Sequence, residues 1–251
     1  MDRPMLIHLP HSSLYVPVDI RKDILLDDVE LEQEMLKITD RYTDELYSMP
    51  DVCIHKNEFN RIVFDPERFR CDEDEVMAQA GMGVIYTHTT DGRLMRKLSE
   101  SYREELVQRY YDPYHLGLEA KVQEILDQFG KCLIIDGHSF PQEPLECEID
   151  KSPDRPDICI GTSEYHTPQY MMSFLKVFMK GMTVKFNSPF AGTMVPMKYY
   201  QKDKRVSSLM IEINRKLYMN EATGEKSLGF NTVRIIINRL LSELLKNFEG
   251  H

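Results

Sequence analysis

The stretch Ile134-Ile135-Asp136-Gly137-His138-Ser139 is a short apolar run that ends in polar residues. Such a run is typical of a buried β-strand that carries functional side chains at its end. Two other segments have the same form, Leu9-Pro10-His11-Ser12 and Met210-Ile211-Glu212-Ile213-Asn214-Arg215. In an open α/β sheet the carboxyl ends of the strands form the ligand crevice. Two histidines and a glutamate delivered to that crevice predict a catalytic zinc site.

Strand-length apolar runs alternate with helical patterns along the chain, which predicts an α/β fold. We expect a three-layer α/β/α arrangement with a central mixed sheet, formed by residues 1–251 as a single domain. The predicted strands cover residues 5–9, 52–55, 62–64, 132–135, 158–160, 183–186 and 209–213. The predicted helices cover residues 99–110, 113–129, 168–180 and 228–248, with a further helical pattern from Leu31 to Leu46.

One long polar segment interrupts this alternation. Residues 141–157 carry four prolines and many charges, so they are predicted to form a loop. The loop is either a lid over the site or a surface connection.

The composition excludes several classes of partner. Lys and Arg total 31 against 41 Asp and Glu, and the formal net charge is −10. This balance argues against nucleic-acid and acidic-membrane binding, and it requires local arginines to hold any anionic substrate. No apolar run approaches the ~18 residues needed to span a bilayer, and the N-terminus lacks a signal-peptide pattern. The five scattered cysteines indicate a reduced, cytoplasmic protein, and the oligomeric state is left open.

Histidines near strand ends are the first candidates for metal ligands. His8 and His11 are three residues apart, so on one continuing strand their side chains would point to opposite faces. The proline between them is expected to end the strand, which places His11 in the following loop and favours it as the ligand. Gly137 is expected to turn the chain so that the His138 side chain leaves the end of the sheet. Asp136 is a candidate to fix an imidazole tautomer through a hydrogen bond.

Carboxylates complete the predicted site. Asp40 and Asp44 are four apart, so on a helix they share one face, and either can supply a third ligand. Glu212 ends a β-branched apolar run, where a charged group is costly unless it is paired or catalytic. Glu212 is therefore a candidate general base, and an ion pair with Arg215 is the alternative.

Further motifs extend the pattern over most of the chain, from His8 to Met219. On these motifs the chain resembles the N-formylglutamate amidohydrolases, zinc-dependent amide hydrolases whose fold is related to that of zinc carboxypeptidases. The motifs are Pro10-His11-Ser12 with Pro17, Thr39-Asp40 with Leu46-Tyr47, Asn60-Arg61-Ile62-Val63-Phe64-Asp65 with Arg68, Thr90-Asp91-Gly92, Tyr111-x-Pro113-Tyr114-His115, Gly137-His138-Ser139, Asn187-x-Pro189-Phe190-x-Gly192 and Glu212-Ile213-Asn214-Arg215.

The resemblance implies a phosphorylase/hydrolase-like α/β fold and one amidohydrolase domain. It implies that His11, Asp40 and His138 bind Zn²⁺ and that Glu212 is the general base, although other divalent ions accept similar ligands. The expected substrate is a small anionic N-acyl amino acid. N-formyl-L-glutamate is the first candidate, hydrolysed to formate and glutamate, with histidine degradation as the setting.

Arginines near the motifs are expected to bind the substrate, because guanidinium forks match carboxylates. We assign Arg61, Arg68, Arg215 and Ser139 to substrate binding or oxyanion stabilisation, without dividing the roles. The alternative for each arginine is an ion pair within the protein, such as Arg68 with Asp65.

Three residues depart from the family pattern: Ser13 replaces a glycine, Glu67 replaces an asparagine, and Arg93 replaces a small or acidic residue. We expect none of them to contact the metal ligands, but Glu67 and Arg93 lie where a substrate is read.

Three alternative functions remain. One is a zinc hydrolase of another N-acyl amino acid or small peptide, and another is a binding protein without turnover. The third is a hydrolase with a serine nucleophile, although no Gly-x-Ser-x-Gly elbow is present.

Overall fold

The computed structural model describes residues 2–251 and contains one six-stranded sheet. The strands are β1 (Met5–Leu9), β2 (Cys53–Lys56), β3 (Cys132–Phe140), β4 (Ile158–Thr162), β5 (Val184–Phe186) and β6 (Val206–Asn214). Their spatial order is β2-β1-β3-β6-β4-β5. Neighbouring strands are parallel except β4 and β6, which are antiparallel. The predicted mixed sheet is therefore confirmed.

Helices cover both faces of this sheet. They are α1 (Val18–Arg21), α2 (Asp28–Ile38), α3 (Thr43–Leu46), α4 (Glu100–Leu106), α5 (Asp112–Phe129), α6 (Gln169–Phe178) and α7 (Phe230–Glu249). A single π-helical turn, Val107–Tyr111, joins α4 to α5. Within the described residues, no helix is long and apolar enough to cross a membrane.

The sheet separates two apolar layers, because alternate residues of each strand face opposite sides. On one face Leu6, Ile134 and Val206 pack with α5 residues such as Leu118 and Val122. On the other face the alternate strand residues pack with α6 and α7; this larger cluster includes Ile7, Ile135, Ile211, Leu175, Ile237 and Leu241. The three-layer α/β/α prediction is confirmed.

A third apolar cluster lies away from the sheet and corrects one predicted strand. Ile62, Val63 and Phe64 are fully buried, but they form a turn that packs against Ile85 and Met95. The prediction of a strand at 62–64 was wrong because a three-residue apolar run does not distinguish a strand from a buried turn.

The predicted helix from Leu31 to Leu46 is also interrupted. Helix α2 ends at Ile38, and the chain reverses before α3 begins at Thr43, with Tyr42 in the left-handed region at φ 69°. Asp40 therefore lies in a turn rather than on a helix, and it does not share a helical face with Asp44. The Asp44 side chain is 42% exposed and lies 3.7 Å from the Lys56 ammonium group.

Strand β3 is longer than its apolar run, and Gly137 lies inside it instead of turning the chain. Gly137 pairs in register with Ile211 of β6. A Cβ atom at this position would lie 2.9 Å from a methyl group of Leu9 and 3.1 Å from the ring of Tyr47. The glycine is thus required by the close approach of Tyr47, whose hydroxyl donates to the His138 and Ile211 carbonyl groups.

Candidate active site

Four polar side chains leave the α5 face of the sheet near the carboxyl ends of its central strands. His8 of β1 is the register partner of Asp136 in β3, and His138 is the register partner of Glu212 in β6. Because side chains alternate, all four lie on the face that carries Leu6 and the rest of the α5 cluster. All four are buried. The strands thus deliver two histidines and two carboxylates to one place.

His11 and Asp40 join this group from loops. His11 follows β1, and the Asp40 backbone N–H donates to the His11 carbonyl oxygen over 3.0 Å. The turn after α2 is thereby tied to the loop after β1. Asp40 is anchored a second time by Arg215, whose Nη2 lies 2.8 Å from Asp40 Oδ1. The three residues expected as metal ligands, His11, Asp40 and His138, therefore come together.

The histidine orientations are set by carboxylates on their outer sides. His11 Nε2 lies 2.8 Å from Asp65 Oδ1, and His138 Nε2 lies 3.0 Å from Asp136 Oδ1. Their Nδ1 atoms face a single oxygen, Asp40 Oδ2, at 3.7 Å for His11 and 3.2 Å for His138. With Nε2 donating outward in each case, both Nδ1 lone pairs are available to a cation beside Asp40.

Asp136 is the common anchor of two histidines. Its Oδ1 also accepts from His8 Nδ1 at 2.7 Å, and its Oδ2 accepts from the Met194 backbone N–H at 2.8 Å. His8 Nε2 in turn contacts the Tyr114 hydroxyl at 2.7 Å. The hydrogen bond expected of Asp136 is present, and His8, which was not favoured as a ligand, lies directly behind the site.

Glu67 is the group that the sequence interpretation placed wrongly. Its Oε2 lies 3.2 Å from His138 Nε2 and its Oε1 lies 3.8 Å from His8 Nδ1. Donor atoms of His11, Glu67 and His138 all fall within 4.8 Å of one another, as do those of His8, Glu67 and Asp136. The expectation that Glu67 does not contact the metal ligands was therefore wrong. Its place directly beside the motif residue Arg68 was the available signal.

Glu212 is buried without a full set of partners. The described residues offer no hydrogen-bond partner to its Oε2, and Arg215, the expected alternative partner, binds Asp40 and Ser139 instead. Burial, together with the nearby charges of Asp40 and Glu67, raises the pKa of Glu212 to about 8. A carboxyl group with this raised pKa and an open oxygen is suited to proton transfer.

Neighbouring charges also shift the pKa values of Asp40 and His138. Burial opposes ionisation of Asp40, but hydrogen bonds from His11 and His138 and the charge of Arg215 outweigh it and hold the pKa of Asp40 well below its usual range. Burial also opposes protonation of His138, yet the negative charges of Glu67 and Asp136 raise its pKa well above the usual value.

The three candidate substrate arginines differ in how fully the protein engages them. Arg61 donates to Asp65 Oδ2 at 2.6 Å, and Arg215 donates to Asp40 and to Ser139. Arg68 is engaged through its Nε, which donates to the Met82 carbonyl oxygen at 3.2 Å and lies 3.7 Å from Asp65 Oδ2, so the alternative ion pair with Asp65 is present. Among the described residues, its two Nη groups have no hydrogen-bond acceptor, and its side chain is 20% exposed. Arg68 is therefore the arginine most available to a ligand.

The charge of the cluster fits one divalent cation. Five carboxylates, of Asp40, Asp65, Glu67, Asp136 and Glu212, face three guanidinium groups, of Arg61, Arg68 and Arg215. The carboxylates exceed the guanidinium groups by two negative charges in a largely buried volume, an excess that favours protonation of His138 and Glu212 and that a bound dication would balance instead. The donor set and its charge thus suit a dication bound by histidine and carboxylate.

The fold and site define a class: an α/β protein with a buried histidine–carboxylate centre where the parallel strands end. A sequence model of the N-formylglutamate amidohydrolase family matches residues 3–219, and the chain belongs to this family. The resemblance inferred from the motifs is therefore confirmed.

A curated relative and two solved structures are also similar to the chain. The chain is 24% identical to an N-formylglutamate deformylase of Pseudomonas putida, an alignment that covers 96% of this chain and 92% of the relative. Its fold matches the crystal structure of an N-formylglutamate amidohydrolase from Ralstonia eutropha JMP134 with a TM-score of 0.83 at 24% identity, covering 98% and 95% of the two chains. A gene product of Agrobacterium tumefaciens matches with a TM-score of 0.70 at 16% identity, over 98% and 92%.

Proposed function

We propose that this chain hydrolyses the amide bond of a small anionic N-acyl amino acid, with N-formyl-L-glutamate as the first candidate and formate and glutamate as products. The family assignment and the similarity to a protein named N-formylglutamate deformylase support this substrate class. The single observation that carries the proposal is the convergence of His11 Nδ1 and His138 Nδ1 on Asp40 Oδ2, close to the unpartnered carboxyl of Glu212.

His11, Asp40 and His138 would hold a divalent cation, with Zn²⁺ favoured by a ligand set of two histidines and a carboxylate. Such an ion supplies electrophilic activation of the scissile carbonyl and of a water molecule. Asp65 and Asp136 orient the two histidines, and Arg215 fixes Asp40. Asp44 is excluded from this set by its exposed position beside Lys56.

Glu212 would remove the proton of the attacking water at its open Oε2 and deliver it to the leaving nitrogen. Arg68 would bind a substrate carboxylate through its unused Nη groups, because a planar guanidinium and a carboxylate match in two parallel hydrogen bonds. Arg61 and Arg215 would act mainly by holding Asp65 and Asp40 in place. A cytoplasmic location remains a prediction from the cysteine pattern.

The test combines metal analysis with a substrate screen. The purified chain should contain about one divalent ion per molecule, and it should release formate from N-formylglutamate faster than acetate from N-acetylglutamate. Treatment with a chelator should abolish activity, and a divalent ion should restore it. Full activity after complete removal of the ion would reject the proposed centre, and release only from other acyl amino acids would reject the first-named substrate.

A further inference from the structure

Among residues 2–251, no side chain or backbone group donates a hydrogen bond to the Glu67 carboxylate within normal geometry. The two nearest donors are His138 Nε2 at 3.2 Å and His8 Nδ1 at 3.8 Å. Both nitrogens already lie closer to Asp136, at 3.0 Å and 2.7 Å. Each ring nitrogen carries a single hydrogen, so Asp136 uses the donors that Glu67 would need. Glu67 therefore retains acceptor capacity beside the reaction centre.

The exposure of the cluster shows which of its groups meet an incoming ligand. The side chains of His11, Asp40, Asp65, Asp136 and His138 are at most 3% exposed. Glu67 is 17% exposed and the adjacent Arg68 is 20% exposed. The most exposed members of the cluster are thus a carboxylate with unused acceptor capacity and, at the next position in the chain, a guanidinium with unused donors.

This pairing of an acceptor and a donor has a matching ligand chemistry. An N-acyl amino acid carries one N–H at the scissile bond close to its carboxylate, and hydrolysis converts that nitrogen to an ammonium group. A carboxylate accepts hydrogen bonds from either, and charge-assisted bonds to ammonium are the stronger. A ligand with a carboxylate but no N–H offers nothing to Glu67 and adds negative charge beside it.

We propose that Glu67 is a substrate-contacting residue that accepts a hydrogen bond from the scissile N–H and pairs with the ammonium group of the amino-acid product, while Arg68 binds the neighbouring carboxylate. The proposal rests on the proposed function, because it takes the ligand to be an N-acyl amino acid. It predicts that the free amino-acid product binds the enzyme and that the amine supplies much of its affinity.

The test measures binding rather than turnover, so it is independent of the hydrolysis screen. Calorimetric titration of the metal-loaded chain compares L-glutamate with glutarate, which has the same carbon skeleton and both carboxylates but no amine. We expect the wild-type protein to bind glutamate about tenfold or more tightly than glutarate, the scale of one charge-assisted hydrogen bond. In Glu67→Gln this preference should shrink to about twofold or less, with little change for glutarate.

A matched control is Glu58→Gln, since the Glu58 side chain is 73% exposed and touches only Lys56, at 3.9 Å, by ion pairing. This variant should keep the preference for glutamate. Metal content is measured for each protein, and Glu67→Gln should retain its ion. Loss of the ion in Glu67→Gln would overturn the proposal by making Glu67 a ligand of the ion.

An undiminished preference for glutamate in Glu67→Gln would also overturn the proposal, as would a wild-type protein that does not distinguish glutamate from glutarate. Failure of the proposed function shows separately, as the absence of formate release in the substrate screen.

Discussion

His138 and Glu212 are direct neighbours across β3 and β6, and their side chains leave the same face of the sheet. The register of two parallel strands therefore fixes the distance between the proposed ligand and the proposed base. Because both positions are in the middle of the sheet, neither group can move away without breaking the pairing of the strands.

Replacing Glu212 by glutamine should remove catalysis and leave the bound ion in place. Glutamine has the same shape but cannot accept the water proton, and general-base assistance contributes about 10²–10⁴-fold. The rate of formate release and the metal content of the purified variant measure the two effects. Near-normal turnover in this variant would exclude Glu212 as the base.

Replacing His138 by alanine should remove both the ion and the activity. His138 Nδ1 is one of the two nitrogens that face Asp40 Oδ2, and a site with one histidine loses much of its donor set. Metal analysis after dialysis gives the readout. As a control, His166→Ala removes a buried histidine that contacts the Val206 carbonyl instead, so that variant should retain the ion even if its stability falls.

Arg68→Ala and Arg61→Ala should fail in different ways. Arg68 has unused Nη groups, so its loss should raise KM for N-formylglutamate by about 10- to 100-fold with a small effect on stability. Arg61 holds buried Asp65 at 2.6 Å, so its loss leaves a poorly compensated charge and should lower the free energy of unfolding by about 3 kcal/mol. Steady-state kinetics measures the change in KM, and thermal and denaturant unfolding measure the change in the free energy of unfolding. Identical losses in both variants would contradict this division of roles.

Gly137→Ala should destabilise the protein and weaken metal binding at once. The new methyl group would lie 2.9 Å from Leu9 and 3.1 Å from Tyr47, and both neighbours are completely buried. Overpacking of this kind costs about 1–3 kcal/mol and would displace β3 next to His138. Unfolding midpoints and ion affinity are the measurements. Gly130→Ala is a contrasting variant. Gly130 has a left-handed backbone conformation and lies outside the sheet, with no atom within 4 Å of an added Cβ, so its substitution should lower stability without altering ion affinity.

The stability of the protein should fall in mild acid partly because of His115. Burial, with a smaller contribution from His8, lowers the pKa of His115 to about 4, whereas the unfolded side chain titrates near about 6.5. Between these values the unfolded chain binds a proton that the folded chain does not. Above about pH 6.5 His115 is neutral in both states and does not oppose folding. As the pH falls from about 6.5 towards about 4, protonation of the unfolded chain lowers the free energy of unfolding.

His115→Gln should reduce this acid sensitivity, because glutamine can still donate to the Pro66 carbonyl oxygen that His115 Nε2 contacts at 2.9 Å. The difference in unfolding free energy between pH 7 and pH 4 should shrink by about 1–3 kcal/mol. Denaturant titrations at several pH values give the measurement. An unchanged pH dependence would show that His115 does not stay neutral in the folded protein.

Much of the sheet could be predicted because its apolar runs are long and continuous. The ends of the strands could not. The run 132–135 stops at Asp136, yet β3 continues through Phe140 because its polar side chains are hydrogen-bonded while buried. Hydrophobicity alone does not reveal such paired groups, since two partners of Asp136, His8 of β1 and the Met194 backbone N–H, are distant in sequence.

The residues of the site also fall into those that the sequence predicts and those that it does not. His11, His138 and Glu212 were accessible because each follows or ends an apolar run. Asp40 was accessible only as one of two alternatives, because its position depends on a backbone reversal that the helical spacing does not predict. The contact of Glu67 with His138 was missed, although Glu67 was expected near the substrate, because it depends on a turn between β2 and α4 that brings residues 71 positions apart into contact.

The link between Asp40 and Arg215 has a consequence for how the protein acquires its activity. Arg215 follows the last strand of the sheet and also donates to the Lys37 carbonyl oxygen, so an early turn of the chain is held by a late one. The Asp40 carboxylate gains this anchor only after β6 has docked beside β3. If the proposed ion is bound, its capture should therefore occur late in folding, and a chain that ends before Arg215 should bind it more weakly than the full chain does.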